Sequence, residues 1–195
     1  MDTQKKNAKD KIIEVAWKLF LEKGYEETTL NDILKESETS RSGFYHHFHA
    51  KEDLLFRMAS FFDSNYSDWL ETIDADLSAA DKLLAFDKYT SRLLEDSPYR
   101  IFLPQLYGYE VMSSSERFIL SENRPYYQVV LSLFQEGQKD GTISSERSAN
   151  DYTHTYARIQ RGVVYCWLLE RCSYSLADES QNMIRLFIDS LKITQ

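Results

Sequence analysis

"TTLNDILKESETSRSGFYHHFHAKEDLL", residues 28–55, decides how the rest of the chain is read. Leu30, Ile33 and Leu34 share one face of a short helix, and Thr29 stands where its N-cap belongs. Asp32, three residues after Thr29, is a shorter version of the residue that completes a capping box. "SETS" (37–40) interrupts the pattern. A second short helix follows from about Ser40 to His47, with Phe44 and Phe48 turned inward at a step of four. Two short helices joined by a turn of three or four residues form a helix-turn-helix, whose second helix can lie in a DNA major groove.

Upstream, Ile12, Ile13, Ala16, Leu19 and Phe20 mark an amphipathic helix over about Lys9–Glu22, with Gly24 as its C′ residue and Tyr25 as the apolar clasp. Downstream, "AKEDLL" (50–55) opens a fourth helix, expected to run unbroken from Lys51 to about Glu71. Longer helices are expected over about Ser78–Asp96, Arg124–Lys139, Asn150–Arg171 and Leu176–Lys192, with a broken aromatic stretch from Tyr99 to Tyr109. Only six Gly and three Pro punctuate 195 residues, which favours long helices over many strands. The expected fold is all-α: an N-terminal three-helix helix-turn-helix domain over residues 1–50, then a larger helical bundle over residues 51–195.

Composition narrows the functional classes. Hydrophobic residues make up 43% of the chain, enough for a core. No signal-like segment opens the sequence and no apolar run reaches the ~20 residues that span a bilayer, so a soluble cytoplasmic protein without membrane contact is expected. The net charge of −8 is uneven. Residues 1–58 carry 10 Lys/Arg and 11 Asp/Glu, a net of −1; residues 59–195 carry 13 and 20, a net of −7. A basic patch can still form in front if its cations gather on one face. Cys166 and Cys172 lie six apart, ~240° around a helix, and are expected to be buried inert thiols. His46 and His47 point ~100° apart on a helix and lack the neighbouring ligands of a metal site, so no metal is expected. No G-x-S-x-G, H-E-x-x-H or glycine-rich phosphate loop occurs, so neither an enzyme nor a cofactor is expected.

The stretch "KIIEVAWKLFLEKGYEETTLNDILKESETSRSGFYHHFHAKEDLL" (11–55) resembles the TetR family of bacterial one-component transcriptional regulators. The order and spacing of "EKGYEETT", "DI", "SRSGFYHHF" and "KEDLL" carry the resemblance. It implies a homodimer that binds a double-stranded DNA operator through the front domain and a small-molecule effector through the rear one. Carried over, it assigns phosphate contacts to Tyr45, His47 and Lys51, with His46 beside them. It also places Thr39, Ser40, Arg41, Ser42 and Gly43 at the entry of the recognition helix. Hydroxyl, imidazole N–H and ammonium are phosphate donors, and a helix N-terminus adds its amides. Arg41 is the candidate for a guanine edge, and Gly43 leaves room for close backbone approach. Thr28 and Thr29 are expected to reach a phosphate. The sequence departs from the family in Glu38, where the turn often carries Gly, and in Ala50, where a polar cap is usual.

Aromatic residues reach 14% of the chain, and many lie in the rear. So many tyrosines suit a cavity with apolar walls and a few polar points. On the helices that surround such a cavity in the resembling family, the candidates are Trp69, Phe86, Tyr89, Tyr107, Tyr127, Tyr156 and Ile159. The last two helices are the expected dimer surface, through Gly162, Tyr165, Leu169, Met183, Phe187 and Leu191. Gly162 costs helix propensity unless another helix approaches closely. The function these readings select is a ligand-responsive repressor released from a palindromic operator. The competing class is a partner-binding protein of the same fold that has lost specific DNA binding, motivated by Glu38 and the acidic balance.

Overall fold

The computed structural model describes residues 7–64, 66–112 and 117–193. Among them the chain forms ten α-helices: α1 Ala8–Lys23, α2 Leu30–Glu36, α3 Arg41–His47, α4 Asp53–Asp63, α5 Tyr66–Thr72, α6 Ala79–Glu95, α7 Leu103–Met112, α8 Pro125–Lys139, α9 Ala149–Leu169 and α10 Leu176–Leu191. Short 3₁₀ turns precede α7 and α8, and one isolated antiparallel bridge joins Ile143 to Lys192. The all-α expectation holds. No described helix is long and apolar enough to cross a membrane.

The helix starts share one device. Asn7, Thr29, Ser78, Ser148 and Ser175 each accept from the backbone N–H of an Asp three residues on. At α2 the capping box is complete: Asp32 returns the favour to the Thr29 backbone N–H at 2.9 Å. Such a cap contributes about 1 kcal/mol. Where such an Asp stands, its charge also meets the positive end of the helix dipole.

The chain forms two compact units. One comprises the residues up to Ser60 with Ile101–Ser114; the other comprises Phe61–Arg100 with the residues from Ser115. The sequence reading drew a single boundary at 50/51, whereas α7 clusters with the front helices. In the first unit Ile12, Ala16, Phe20, Ile33, Phe44 and Leu54 are fully buried. Each large apolar side chain so buried contributes about 1.5–3 kcal/mol. The Trp17 indole N–H donates to the Leu54 carbonyl at 3.0 Å. Phe20 meets Tyr25 and Phe102 edge-on at 5.0 and 5.9 Å, and the Tyr109 hydroxyl donates to Glu52 at 2.7 Å.

In the second unit α6, α8, α9 and α10 pack around Phe86, Phe134, Tyr156 and Trp167. The fourth helix is not the unbroken span expected. It ends at Asp63, and α5 begins at Tyr66. Asp63 and Ser64 are residues whose short polar side chains compete with helical backbone bonding. Asp63 is also held sideways: Arg124, at the start of α8, donates to both its carboxylate oxygens at 2.8 Å. Both side chains of this pair are nearly excluded from water.

Candidate nucleic-acid interface and rear-unit sites

The outer surface of α3 carries Arg41, Ser42, Tyr45 and His46, while Phe44 and Phe48 anchor its inner side in the core. Ser40 caps it, accepting from the Gly43 N–H at 3.0 Å. Unlike the five helices capped by a residue with Asp three positions on, α3 has no acid in its first turn. Gly43 sits at that third position. A Cβ there would lie 3.1 Å from the Thr39 methyl and 3.2 Å from the Ser40 hydroxyl oxygen, so the glycine already answers a close contact within the chain.

Three acids of α2 and the following turn face three lysines of α1. Lys23 lies 3.6 Å from Asp32, Lys18 3.5 Å from Glu36 and Lys11 2.8 Å from Glu38. Exposed pairs of this kind add little stability, but each cancels a charge that would repel phosphate. Hydrogen bonds from Thr29 hold the Asp32 carboxyl below its ordinary range, and the bond from Lys11 does the same for Glu38. Glu38 also adopts a positive φ of 54°, the conformation for which glycine is usual. Its charge is answered by Lys11, while its backbone bears the cost of a left-handed conformation without glycine. Sequence reading missed this ladder because the partners are 9 to 27 residues apart.

The residues expected to touch phosphate divide. Tyr45 is 47% exposed, and His46 meets His47 edge-on at 4.8 Å on the outer side of α3. Thr29 is exposed, but its hydroxyl is spent on Asp32 at 2.7 Å. The Thr39 hydroxyl donates to the Ser37 carbonyl at 3.3 Å. Thr28 differs from the expectation: its buried hydroxyl donates to the Gly24 and Leu19 carbonyls at 2.7 and 3.2 Å, so it faces the core. Lys51 also differs. Its ammonium donates to the Tyr25 and Thr28 carbonyls at 2.8 and 3.0 Å and lies 4.1 Å over the Tyr25 ring. Two of its three N–H groups thereby clip the α1–α2 turn. Arg41 donates from Nη2 to Asn31 Oδ1 at 2.7 Å. No group of three or more His, Cys, Asp or Glu able to hold a metal occurs among the described residues.

In the second unit, three of the seven proposed effector residues come together. Trp69 stacks on Tyr89 at 5.8 Å and meets Phe86 at 5.0 Å. Tyr66 and Tyr126 complete this cluster; both were missed, because nothing in the sequence separates them from other buried tyrosines. The buried Tyr126 hydroxyl has no hydrogen-bond partner among the described residues. The other four lie elsewhere. Tyr156 is core, its hydroxyl on the Leu83 carbonyl at 2.9 Å. Tyr127 donates to Asn150 at 3.0 Å beside His154. Ile159 lines a groove on another face, and Tyr107 belongs to the first unit.

Close to the cluster, Asp87 is fully buried. Ser180 donates to it at 2.6 Å and Gln181 at 3.0 Å, which ties α6 to α10. Burial pushes its carboxyl up to about 6, against the opposing pull of these hydrogen bonds.

On the outer side of α9 and α10 runs a groove of about 700 Å³, lined among others by Gly162, Cys166, Glu179, Asn182 and Met183. Tyr165, Leu169 and Leu186 are 53%, 64% and 68% exposed. A Cβ on Gly162 would meet nothing within 4 Å. Two expected dimer residues are corrected. Phe187 is half-buried against Phe134 and Tyr152, and Leu191 is buried within the chain. The buried stripe of α10 runs through Leu176, Ser180, Ile184, Ile188 and Leu191, which leaves Leu186 outward. Cys166 is exposed rather than buried, and Cys172 is half-buried.

An exposed recognition helix on a three-helix scaffold, carried in one chain with a larger helical unit, defines the class of helix-turn-helix transcriptional regulators. Residues 12–58 match the model of the bacterial regulatory proteins of the TetR family, which bears out the resemblance read from the sequence. The HTH-type transcriptional regulator QacR of Staphylococcus aureus is 28% identical over 138 residues, 69% of this chain and 73% of that protein. The HTH-type transcriptional repressor KstR2 of Rhodococcus jostii is 23% identical and aligns over 96% of this chain and 92% of its own. A solved structure of the TetR-family repressor FadR of Thermus thermophilus, in complex with lauroyl-CoA, is similar in fold. Its TM-score is 0.73 at 18% identity, with 96% of each chain covered.

Proposed function

We propose that this regulator is a cytoplasmic homodimeric repressor. It binds a palindromic operator through α3 and leaves it when a small molecule occupies the second unit. The observation that carries the DNA reading is the charge arrangement around α3. Its first turn holds no acid, and the acids Asp32, Glu36 and Glu38 are each paired to a lysine of α1. Arg41, Tyr45 and His46 then meet DNA from a surface whose net front charge understates its local potential. Arg41 reads a base edge, and Tyr45 and His47 hold phosphates. Thr39, Ser40, Ser42 and Gly43 contribute the close backbone at the helix entry.

The effector site is placed beside Trp69, Phe86 and Tyr89, where stacked rings offer an apolar wall. The FadR structure of similar fold holds lauroyl-CoA, so acyl thioesters are one chemistry to test here. The dimer forms through the exposed side of α9 and α10, with Gly162, Tyr165, Leu169, Met183 and Leu186 at its centre. Two recognition helices then address half-sites one helical turn or a multiple apart. Release requires the effector to bind one conformation better than the other.

The test is selection of the purified protein against random duplex DNA, followed by titration of the enriched sequence at two salt concentrations. A palindrome whose affinity falls with salt supports the reading. A folded, dimeric protein that enriches nothing would overturn it in favour of a partner-binding role. Adding acyl-CoAs and planar aromatic compounds to the bound complex then sorts the effector chemistry.

A further inference from the structure

We infer that Asn31 is a positioning residue for base recognition, holding Arg41 in the conformation that reads a G·C pair. The inference rests on the DNA-binding reading above. Arg41 is the first residue of α3 and is exposed, and a long arginine side chain loses considerable freedom when it must adopt one geometry. Here it is already held. Its Nη2 donates to Asn31 Oδ1 at 2.7 Å, from the first turn of α2 to the first turn of α3.

The identity of the partner matters. A carboxylate at position 31 would fix the guanidinium equally well but cancel its charge. A neutral amide orients it and leaves the full positive charge for DNA. The acids nearest in sequence do not compete for it: Asp32, Glu36 and Glu38 are held by Lys23, Lys18 and Lys11. No carboxylate pairs with Arg41 among the described residues.

The amide orientation follows from chemistry. A guanidinium only donates, so Asn31 must turn its oxygen toward Arg41 and its NH₂ away. Held this way, Arg41 presents N–H groups alone to a base edge, the unused donors of its guanidinium fork. Guanine offers two acceptors, N7 and O6, on its major-groove edge, whereas adenine pairs an acceptor with a donor. A surface of donors alone therefore selects guanine and rejects adenine. Preorganisation raises affinity by removing an ordering cost that would otherwise fall due on binding.

The experiment uses the full-length protein, as wild type, Asn31→Ala, Arg41→Ala and the double variant. Each is tested on the enriched operator, on that operator with each base pair replaced in turn, and on random duplex DNA, beside a thermal melt. The expected result for Asn31→Ala is an affinity for the enriched operator about 5- to 10-fold lower. Preference should flatten at the same base pair that Arg41→Ala affects, with random-DNA affinity and melting temperature unchanged. The double variant should bind no more weakly than Arg41→Ala alone. Additive losses, an equal loss on every sequence, or an unchanged preference profile would each overturn the inference while leaving DNA binding intact. A wild type that enriches no site overturns the DNA-binding reading and this inference with it.

Discussion

The two units handle negative charge in opposite ways. In the first, Asp32, Glu36 and Glu38 remain at the surface, each beside a lysine of α1. In the second, Asp87 is sealed in the core, hydrogen-bonded by the neutral donors Ser180 and Gln181, and Asp63 is closed in against Arg124. Surface pairing shapes the field that DNA would meet and costs the fold almost nothing. Burial makes the fold itself depend on who holds the proton or the cation. On the proposed function, charge in front serves recognition, whereas charge behind is bound up with stability.

The largest effect that could break this contrast is at Arg124. Arg124→Ala leaves Asp63 buried without its cation and should cost about 3–5 kcal/mol in urea denaturation. A loss below about 1 kcal/mol would mean the pair behaves like the surface ones. Asp87 comes next. Its folded-state value of about 6 lies above the ordinary 3.8, so the folded form favours the protonated acid. The charged group costs stability as pH rises from 3.8 through 6, up to about 2–3 kcal/mol above that. Asp87→Asn should therefore be more stable than wild type at pH 7.5 and indistinguishable from it near pH 4. Melting curves across that range show whether the gap opens with pH.

Thr29→Ala removes the α2 capping box and should cost about 1 kcal/mol. It sharpens the comparison because it weakens the front unit without altering any charge. The smallest stability effect belongs to Lys11→Ala, at less than about 0.5 kcal/mol. Its signature should appear in DNA titration instead: a severalfold loss of affinity at low salt that shrinks as salt rises, because Glu38 is left uncancelled. A melting change larger than that of Thr29→Ala would show that the lysine ladder carries the fold after all.

The features legible in the sequence are those set by local chemistry. The Thr29–Asp32 box, the inward pair Phe44 and Phe48, and the length of α2 all follow from spacing along one helix. The features missed depend on chain segments far apart. Lys51 is drawn to the carbonyls of Tyr25 and Thr28, more than twenty residues away, and Thr28 turns inward to Leu19 and Gly24. Cys166 is a different case, because its position was available. Val163, Val164 and Trp167 define the buried stripe of that stretch of α9, and Cys166 falls outside it. The expectation of burial rested on the ordinary behaviour of an unpaired thiol rather than on that stripe. On α10 the stripe through Ile184, Ile188 and Leu191 likewise turns Leu191 inward and leaves Leu186 outward, which the assignment of Leu191 to the dimer surface did not follow.

The make-up of the first unit has a consequence for how the chain is born. Phe20 and Tyr25 take Phe102 and Tyr109 as ring partners, so the unit is assembled from two stretches separated by about forty residues of the other unit. At about 5–20 residues per second of synthesis, Phe20 and Tyr25 wait several seconds for the segment that packs against them. The part of the protein that leaves the ribosome first is therefore not yet complete when it emerges.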